Sequence, residues 1–595
     1  RRNEPRFHIE FELWSRASRV YRELQEYEVR AMIRIAGGEP ERRSTHLPHI
    51  HYLGIGASFP TAQYNTFQSR LPELFYSPYI RRLRPGGGYC FNSPKADPTH
   101  VGQNTSAAVS FDTPLRMAMI GASPDRLHPA VRDGLLEVDP EDVLKNYPAG
   151  AAQLGTPLAS LLLHGNLDEG AEQLPTRLMV RPLMVAKDDD WTSDVVEECL
   201  PRKGTVVGQV AAALDDLLLH HRADLEHCAA ILISLSAPEE RFDGEVTPLA
   251  RLLDWYAHTY GLLFVVSAGD LHKPLRLNLA NEELYALQAA PQELMARTLQ
   301  QFYERPFSHS LTAPGEAVNV LTIGASHTDA APMQSDDPRY DLLQHAVLPG
   351  PAARYGYGFA GAAKPEVHFP GGRQLFTDQF FLEKGKAQLM PSTVLKGQVR
   401  APGLRVASSR TGSGEASETY VAGSMFAAAL ATRTAAQWHE ALRDELIELS
   451  KPEQSALLKA LLVHDATQRA AIDWLRKHVS DTPASPFNVE QWIAHFLGHG
   501  LANTLPPQHP RPGCVRFFHT GRLTPSEGDR FAIELPQQLL DHEGRQFMTL
   551  TLAWFSPTAN TGTGYRKVQL WPDISKRNPL GLRSRALDRE AIAEG

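Results

Sequence analysis

Residues 421–436 read VAGSMFAAALATRTAA, and this stretch decides how the rest of the chain is understood. Gly423 and Ser424 open a long run of Ala, Leu and Thr with no Pro, the composition of a buried helix. The glycine loosens the first turn, so that another backbone or a bound molecule can approach closely. A helix buried on every side needs partners on every side, and the flanking chain supplies them in alternation. Arg116–Ala122 (RMAMIGA), Ala229–Leu235 (AAILISL), Leu262–Ser267 (LLFVVS) and Val318–Ala325 (VNVLTIGA) are short continuous apolar runs, and Thr176–Ala186 is extended and apolar. Between them Thr156–His164, Gly208–His221 and Leu249–Tyr260 carry helical patterns. Strands alternating with helices of this length predict parallel βαβ units in a doubly wound α/β sheet, its strands apolar because both faces are covered.

The bulk properties exclude several classes. The 595 residues are 42% hydrophobic and 22% charged, ordinary for a soluble globular chain of several domains. A net charge of -8 argues against a dedicated nucleic-acid binder. No apolar run reaches membrane-spanning length, and the N-terminal RRNEPRFHIE has no h-region. Cys90, Cys199, Cys228 and Cys514 are scattered without CxxC spacing, which predicts reduced thiols and a cytoplasmic location.

Several segments in this order resemble the core of subtilisin-like serine proteases. Gly423, Phe426, Ala427, Ala428, Leu430, Ala431, Thr432 and Arg433 stand where a GTSFAAPLATR-type nucleophile helix has them. AAILISLSAP resembles the family's INxSLG segment, LFVVSAGD (Leu263–Asp270) its VVxAAGN, and NVLTIGASHTD its VITVGA strand. KPEVHFPGG (Lys364–Gly372) resembles KPDVxAPG, and Pro452–Ala466 resembles the following helix, IKALLxHTA. The resemblance covers roughly residues 112–500 and implies a subtilisin-like doubly wound, mostly parallel sheet.

It also implies a site, and there the chain departs from the pattern. An acyl-transferring protease of this kind needs Asp, His and Ser in that chain order and an Asn amide for the oxyanion. The aligned positions hold Gly121, Leu154, Met425 and, for the Asn, Asp270. A thioether cannot be acylated, and an ionised carboxylate only accepts hydrogen bonds. Ser424 is one residue early on the helix, turned by about a quarter of its circumference; it is the alternative nucleophile, and that reading requires an unaligned imidazole within reach of its hydroxyl. Asp125 lies four residues past Gly121, beyond Pro124, and would need a re-routed loop to serve. His164 is roughly 15 Å along its helix from Leu154 and reads as a helix-end histidine.

Other candidates read as structure. His49 and His51 have strand spacing for two metal ligands but no nameable third. Lys187-Asp188-Asp189-Asp190 reads as a solvated acidic turn. His495 and His499 have the spacing of a helical zinc pair, but Gly498 and Gly500 interrupt the helix. No metal or cofactor is expected.

Three regions follow. Residues 1–110 are expected to form an N-terminal appendage, helical over Phe7–Ile35 and irregular after Gly37-Gly38, with residues 111–503 the core. From 504 to 595, alternating runs such as VRFFHTGRL and FMTLTLAWFSP predict a C-terminal antiparallel β-sandwich. With the catalytic positions replaced, the expected role is a pseudoprotease that binds polypeptide, using strand edges at Ser234, Leu235, Ser236 and at Val266, Ser267, Ala268, Gly269. The resemblance of TLAWFSPTANTGTGYRKVQL to C-terminal domains of large bacterial subtilases further implies an AAA-type ATPase as a partner. No membrane or nucleic-acid partner is expected.

Overall fold

The computed structural model describes residues 5–94, 113–378, 386–502, 516–529 and 549–570, apart from 16–17, 87–88, 149, 171, 187–194, 202, 333–336, 345–346, 396–397, 411–413, 525–527 and 560–563. The chain opens with β1 (Arg6–Leu13), whose RFHIEFEL alternates apolar and polar side chains, the period of a strand. Helix α1 (Arg19–Ile35) follows, its first turn closed by Ser18, whose hydroxyl accepts from the Tyr21 N–H. Then come β2 (Glu39–Pro40), β3 (Thr45–Leu47), β4 (Tyr52–Pro60), α2 (Tyr64–Phe75) and β5 (Ile80–Pro85). The strands form an antiparallel sheet in the order β2-β4-β1-β5, with β3 also on β4. The helix expected in this appendage is therefore present, but it starts twelve residues later than the predicted Phe7, and the segment read as irregular supplies four of the five strands of a sheet. Val29 and Ile33 of α1 meet Phe11, Phe59 and Phe67 in a small separate core.

After β6 (Cys90–Pro94) the large sheet begins with β7 (Leu115–Gly121) and β8 (Leu135–Glu137). Helix α3 (Gly155–His164), β9 (Arg177–Pro182), β10 (Val185–Ala186), β11 (Val195–Cys199), α4 (Val206–His220), α5 (Arg222–Glu226) and β12 (Ala230–Ile233) follow. Helix α6 (Pro248–Tyr260), β13 (Phe264–Ser267), β14 (Leu275–Arg276), α7 (Asn281–Leu287), α8 (Pro291–Glu304), β15 (Leu321–Ser326), the strand Val367–Pro370 and α9 (Ser424–Ala441) complete the framework. Seven strands stand in the order Val367–Pro370, β15, β13, β12, β7, β9, β8, every neighbouring pair parallel. The doubly wound core is as the sequence predicts, element by element. Helix α9 packs along β15, β13 and β12 with α3 and the helix Lys451–His464 beside it, which is why fifteen of its side chains had to be small or buried.

The N-terminal unit sits on α4 and α6 through charge. Glu12, 1% exposed, is gripped by Arg84, Arg81 at 2.8 Å and Arg251 of α6 at 2.6 Å. Burial alone would raise its pKa, but the three guanidinium groups hold it at about 2. Glu10, two residues away on the same face, accepts from the Val206 N–H at the start of α4 at 2.8 Å. Burial pushes its pKa up to about 7 against that bond.

The expectation of four reduced cysteines is overturned: Cys90 and Cys199 form a disulfide, while Cys228 is a buried free thiol. The two half-cystines are 109 residues apart and meet only because β6 and β11 pair, so no local spacing marks them. This removes the ground on which the cytoplasmic location was expected. No helix among the described residues is long and apolar enough to cross a membrane. Most of the predicted C-terminal β-sandwich lies outside the described residues. Within them that region shows one isolated bridge, Thr558 to Arg566, and a firm anchor. Tyr565, 1% exposed, donates its hydroxyl hydrogen to buried Asp254 at 2.8 Å, and Asn319 exchanges two hydrogen bonds with the Ser556 backbone.

Candidate functional site

Gly121 ends β7 with φ +121°, a conformation that favours glycine. A Cβ there would lie 2.9 Å from both Ser234 Oγ and Leu235 Cδ2, so any side chain needs those two side chains to shift as well as a backbone conformation that favours glycine. Leu154 precedes α3 and is 2% exposed. Its N–H donates to Glu198 Oε1 at 2.7 Å, and the Tyr147 hydroxyl donates to Oε2 at 2.6 Å. Glu198 is fully buried, and burial raises its pKa to about 7 against these two bonds. A carboxyl group thus secures the start of the helix on which an imidazole was expected.

Met425 is the second residue of α9 and buried. Ser424 is fully buried, and both its N–H and its hydroxyl donate to Asp270 Oδ2 at 2.8 Å. Gly423, at φ +143°, permits this: a Cβ there would stand 2.9 Å from the same oxygen. Asp270 therefore does more than end its strand; its carboxyl oxygen accepts at the N-terminal end of α9, an eighteen-residue helix. Burial pushes the Asp270 pKa up, opposed by the Ser424 bonds and then by the charges of His272 and Arg354. Among the described residues no imidazole hydrogen-bonds the Ser424 hydroxyl, whose hydrogen goes to Asp270.

The other candidates are absorbed into structure. Asp125 is bound by Arg410 at 2.9 Å and 3.2 Å; burial would raise its pKa, and the Arg410 bonds bring it below the usual carboxylate range. His164 Nε2 bonds the Ala130 carbonyl at 2.6 Å. His49 stacks on Trp255 with ring centres 4.1 Å apart, and His51 is exposed. His495 lies against Tyr357, ring centres 3.5 Å apart, and burial lowers its pKa to about 4. The backbone N–H of His499 donates to the Glu366 carbonyl. Among the described residues, only Cys90, Glu197 and Cys199 are close enough to share a metal, and two of these are the disulfide. Lys187–Asp190 lies outside the described residues.

The two expected binding edges differ. Val266 and Ser267 pair with Thr322 and Ile323 inside the sheet, the Ala268 carbonyl accepts from Thr312 N–H, and the Gly269 carbonyl from Arg354 N–H. Arg354 also donates to the Asp270, Ser310 and Pro238 carbonyls, closing this side. Val266–Gly269 thus offers no edge; the run that resembles a binding segment is central in the sheet. The Ser234 hydroxyl is spent on Ala122 N–H and the Ile120 carbonyl. The Leu235 and Ser236 backbones, in contrast, bond nothing among the described residues, although the Leu235 side chain is buried.

The seven-stranded parallel sheet with α9 packed along it is a subtilisin-like fold. Residues 210–483 match the model of the subtilase family, peptidase S8. No curated protein matches it. Among solved structures it is similar to the epidermin leader peptide processing serine protease EpiP from Staphylococcus aureus, with 10% identity, 84% of this chain and 97% of that one covered, and a TM-score of 0.39. It is also similar to the prenylagaramide maturation protease PagA (13%, 66% and 93%, 0.34) and to a cold adapted subtilisin-like serine proteinase (13%, 65% and 93%, 0.31).

Proposed function

We propose that this chain is a pseudoprotease: a subtilase domain that engages extended polypeptide without cleaving it and acts as a binding, scaffolding or regulatory subunit. The observation that carries the proposal is the Asp270 carboxylate seated on the Ser424 N–H, where a developing oxyanion would need a donor. A carboxyl oxygen that accepts from both the Ser424 N–H and its hydroxyl offers no amide donor at that place to the charge that amide cleavage must build. The glycine-only pocket at Gly121 and the Glu198-held backbone of Leu154 act in the same direction, because neither leaves an orienting carboxylate or a base. Loss of the triad in subtilisin still leaves a residual of order 10³–10⁴ over water from the oxyanion hole and binding; here that remnant is opposed as well. Recognition by backbone pairing needs none of these groups. An ATPase partner belongs to the same proposal. Affinity purification of the native complex with mass spectrometry tests the partner. Incubation with casein and with a fluorophosphonate probe tests the chemistry: neither digestion nor labelling is expected, and labelling lost in Ser424→Ala would refute the proposal.

A further inference from the structure

Strand β6 belongs neither to the N-terminal sheet nor to the parallel one. It pairs antiparallel with β11, Phe91 opposite Glu198 and Cys90 opposite Cys199, and the Leu200 N–H extends the ladder to the Tyr89 carbonyl at 3.2 Å. Since β10 takes the other side of β11, β6 fills the one edge that β11 has to offer. This edge flanks the degenerate centre. Glu198 is the carboxylate that holds Leu154, and the Phe91 ring meets Phe426, the residue after Met425, with centroids 6.3 Å apart. Tyr89 is buried, its hydroxyl donating to Glu240 at 3.3 Å.

We propose that Tyr89–Pro94 is the resident occupant of a polypeptide-recognition edge, a strand added in cis, and that the Cys90–Cys199 disulfide fastens it there. In the oxidised protein the edge of β11 is closed; after reduction it accepts an extended segment of a partner. The inference rests on the polypeptide-binding reading and names how that site is regulated. The step needs a dithiol: its two electrons break the S–S bond, Cys90 and Cys199 each take up a proton as thiols, and the dithiol leaves as a disulfide. The cross-link matters because it replaces a backbone tether of 109 residues by a bond within the ladder itself, which raises the effective concentration of the competing strand far above that of a free segment. Without it, β6 competes through one short ladder and the packing of Tyr89 and Phe91.

The test uses the full chain. A protease site inserted between Asn104 and Thr105 and then cut should leave one species on a denaturing gel without reductant and two with it. In the uncut protein, dithiothreitol should speed hydrogen exchange at residues 195–200 at least tenfold. It should also raise by at least tenfold the affinity for a fluorescent peptide copying residues 88–97 with serine for the cysteine. Because reduction acts on the wild-type chain, a misfolded Cys90→Ser protein does not obscure the result. Free thiols in the air-purified protein, or unchanged exchange at 195–200 after reduction, would overturn the proposal. Faster exchange with no peptide bound would leave the fastening in place and refute the polypeptide-binding reading on which it rests.

Discussion

Glu12→Gln isolates the contact that seats the N-terminal unit. The carboxylate is 1% exposed and serves Arg84, Arg81 and Arg251 together, so the amide leaves three guanidinium groups facing a neutral partner. A pKa of about 2 against an ordinary 4.5 corresponds to about 3 kcal/mol of docking stability at neutral pH. Removing one member of a buried ion cluster costs on the order of 3–5 kcal/mol by a separate route. The sign follows from the direction: a depressed carboxyl stabilises above its unfolded pKa, and that contribution fades as pH falls from about 4.5 to about 2. Hydrogen exchange at the β1 and β5 amides, which measures local opening, should therefore rise by about two orders of magnitude in Glu12→Gln at pH 7. At pH 3, with the wild-type carboxyl already partly through this window, the difference should shrink. A change of less than fivefold at pH 7, or one equally large at pH 3, would refute the reasoning. Glu10 supplies a contrast on the same strand, since its raised pKa of about 7 makes the wild-type unit lose stability as pH climbs from about 4.5 past 7.

Gly121→Asp should fail to restore an orienting carboxylate and should destabilise the core by about 2 kcal/mol or more, because a side chain at φ +121° meets Ser234 and Leu235; chemical denaturation reads this. Asp270→Asn exchanges the charged cap of α9 for a neutral one and should lower stability by about 1 kcal/mol, with no fluorophosphonate labelling gained, by melting and gel fluorescence. Tyr565→Phe leaves Asp254 short of one donor in a fully buried place and should cost about 1–3 kcal/mol, with the 555–568 segment opening first in hydrogen exchange.

The core was legible because its strands are continuous Val, Ile and Leu runs of strand length and α9 is a long run of small residues, both readable without tertiary knowledge. The positions Gly121, Leu154, Asp270 and Met425 are aligned by their fixed offsets from those runs. Other features were hidden for physical reasons. Strand β1 alternates with period two but abuts α1, and a helical count drawn across both conceals the switch at Ser18. The carboxylate of Glu198 reaches Leu154 across 44 residues, and Cys90 reaches Cys199 across 109, contacts that only folding creates. That Val266–Gly269 is an interior strand follows from β15 and the Thr312 and Arg354 backbones covering it, which no property of the run itself reveals.

The most direct measurement is an intact-mass experiment on the purified full chain with an excess of fluorophosphonate at neutral pH, oxidised and reduced in parallel. An unmodified mass is expected in both states, since the buried Ser424 hydroxyl donates to Asp270 and, among the described residues, to no imidazole. A stoichiometric phosphonyl adduct mapped to Ser424 would contradict it.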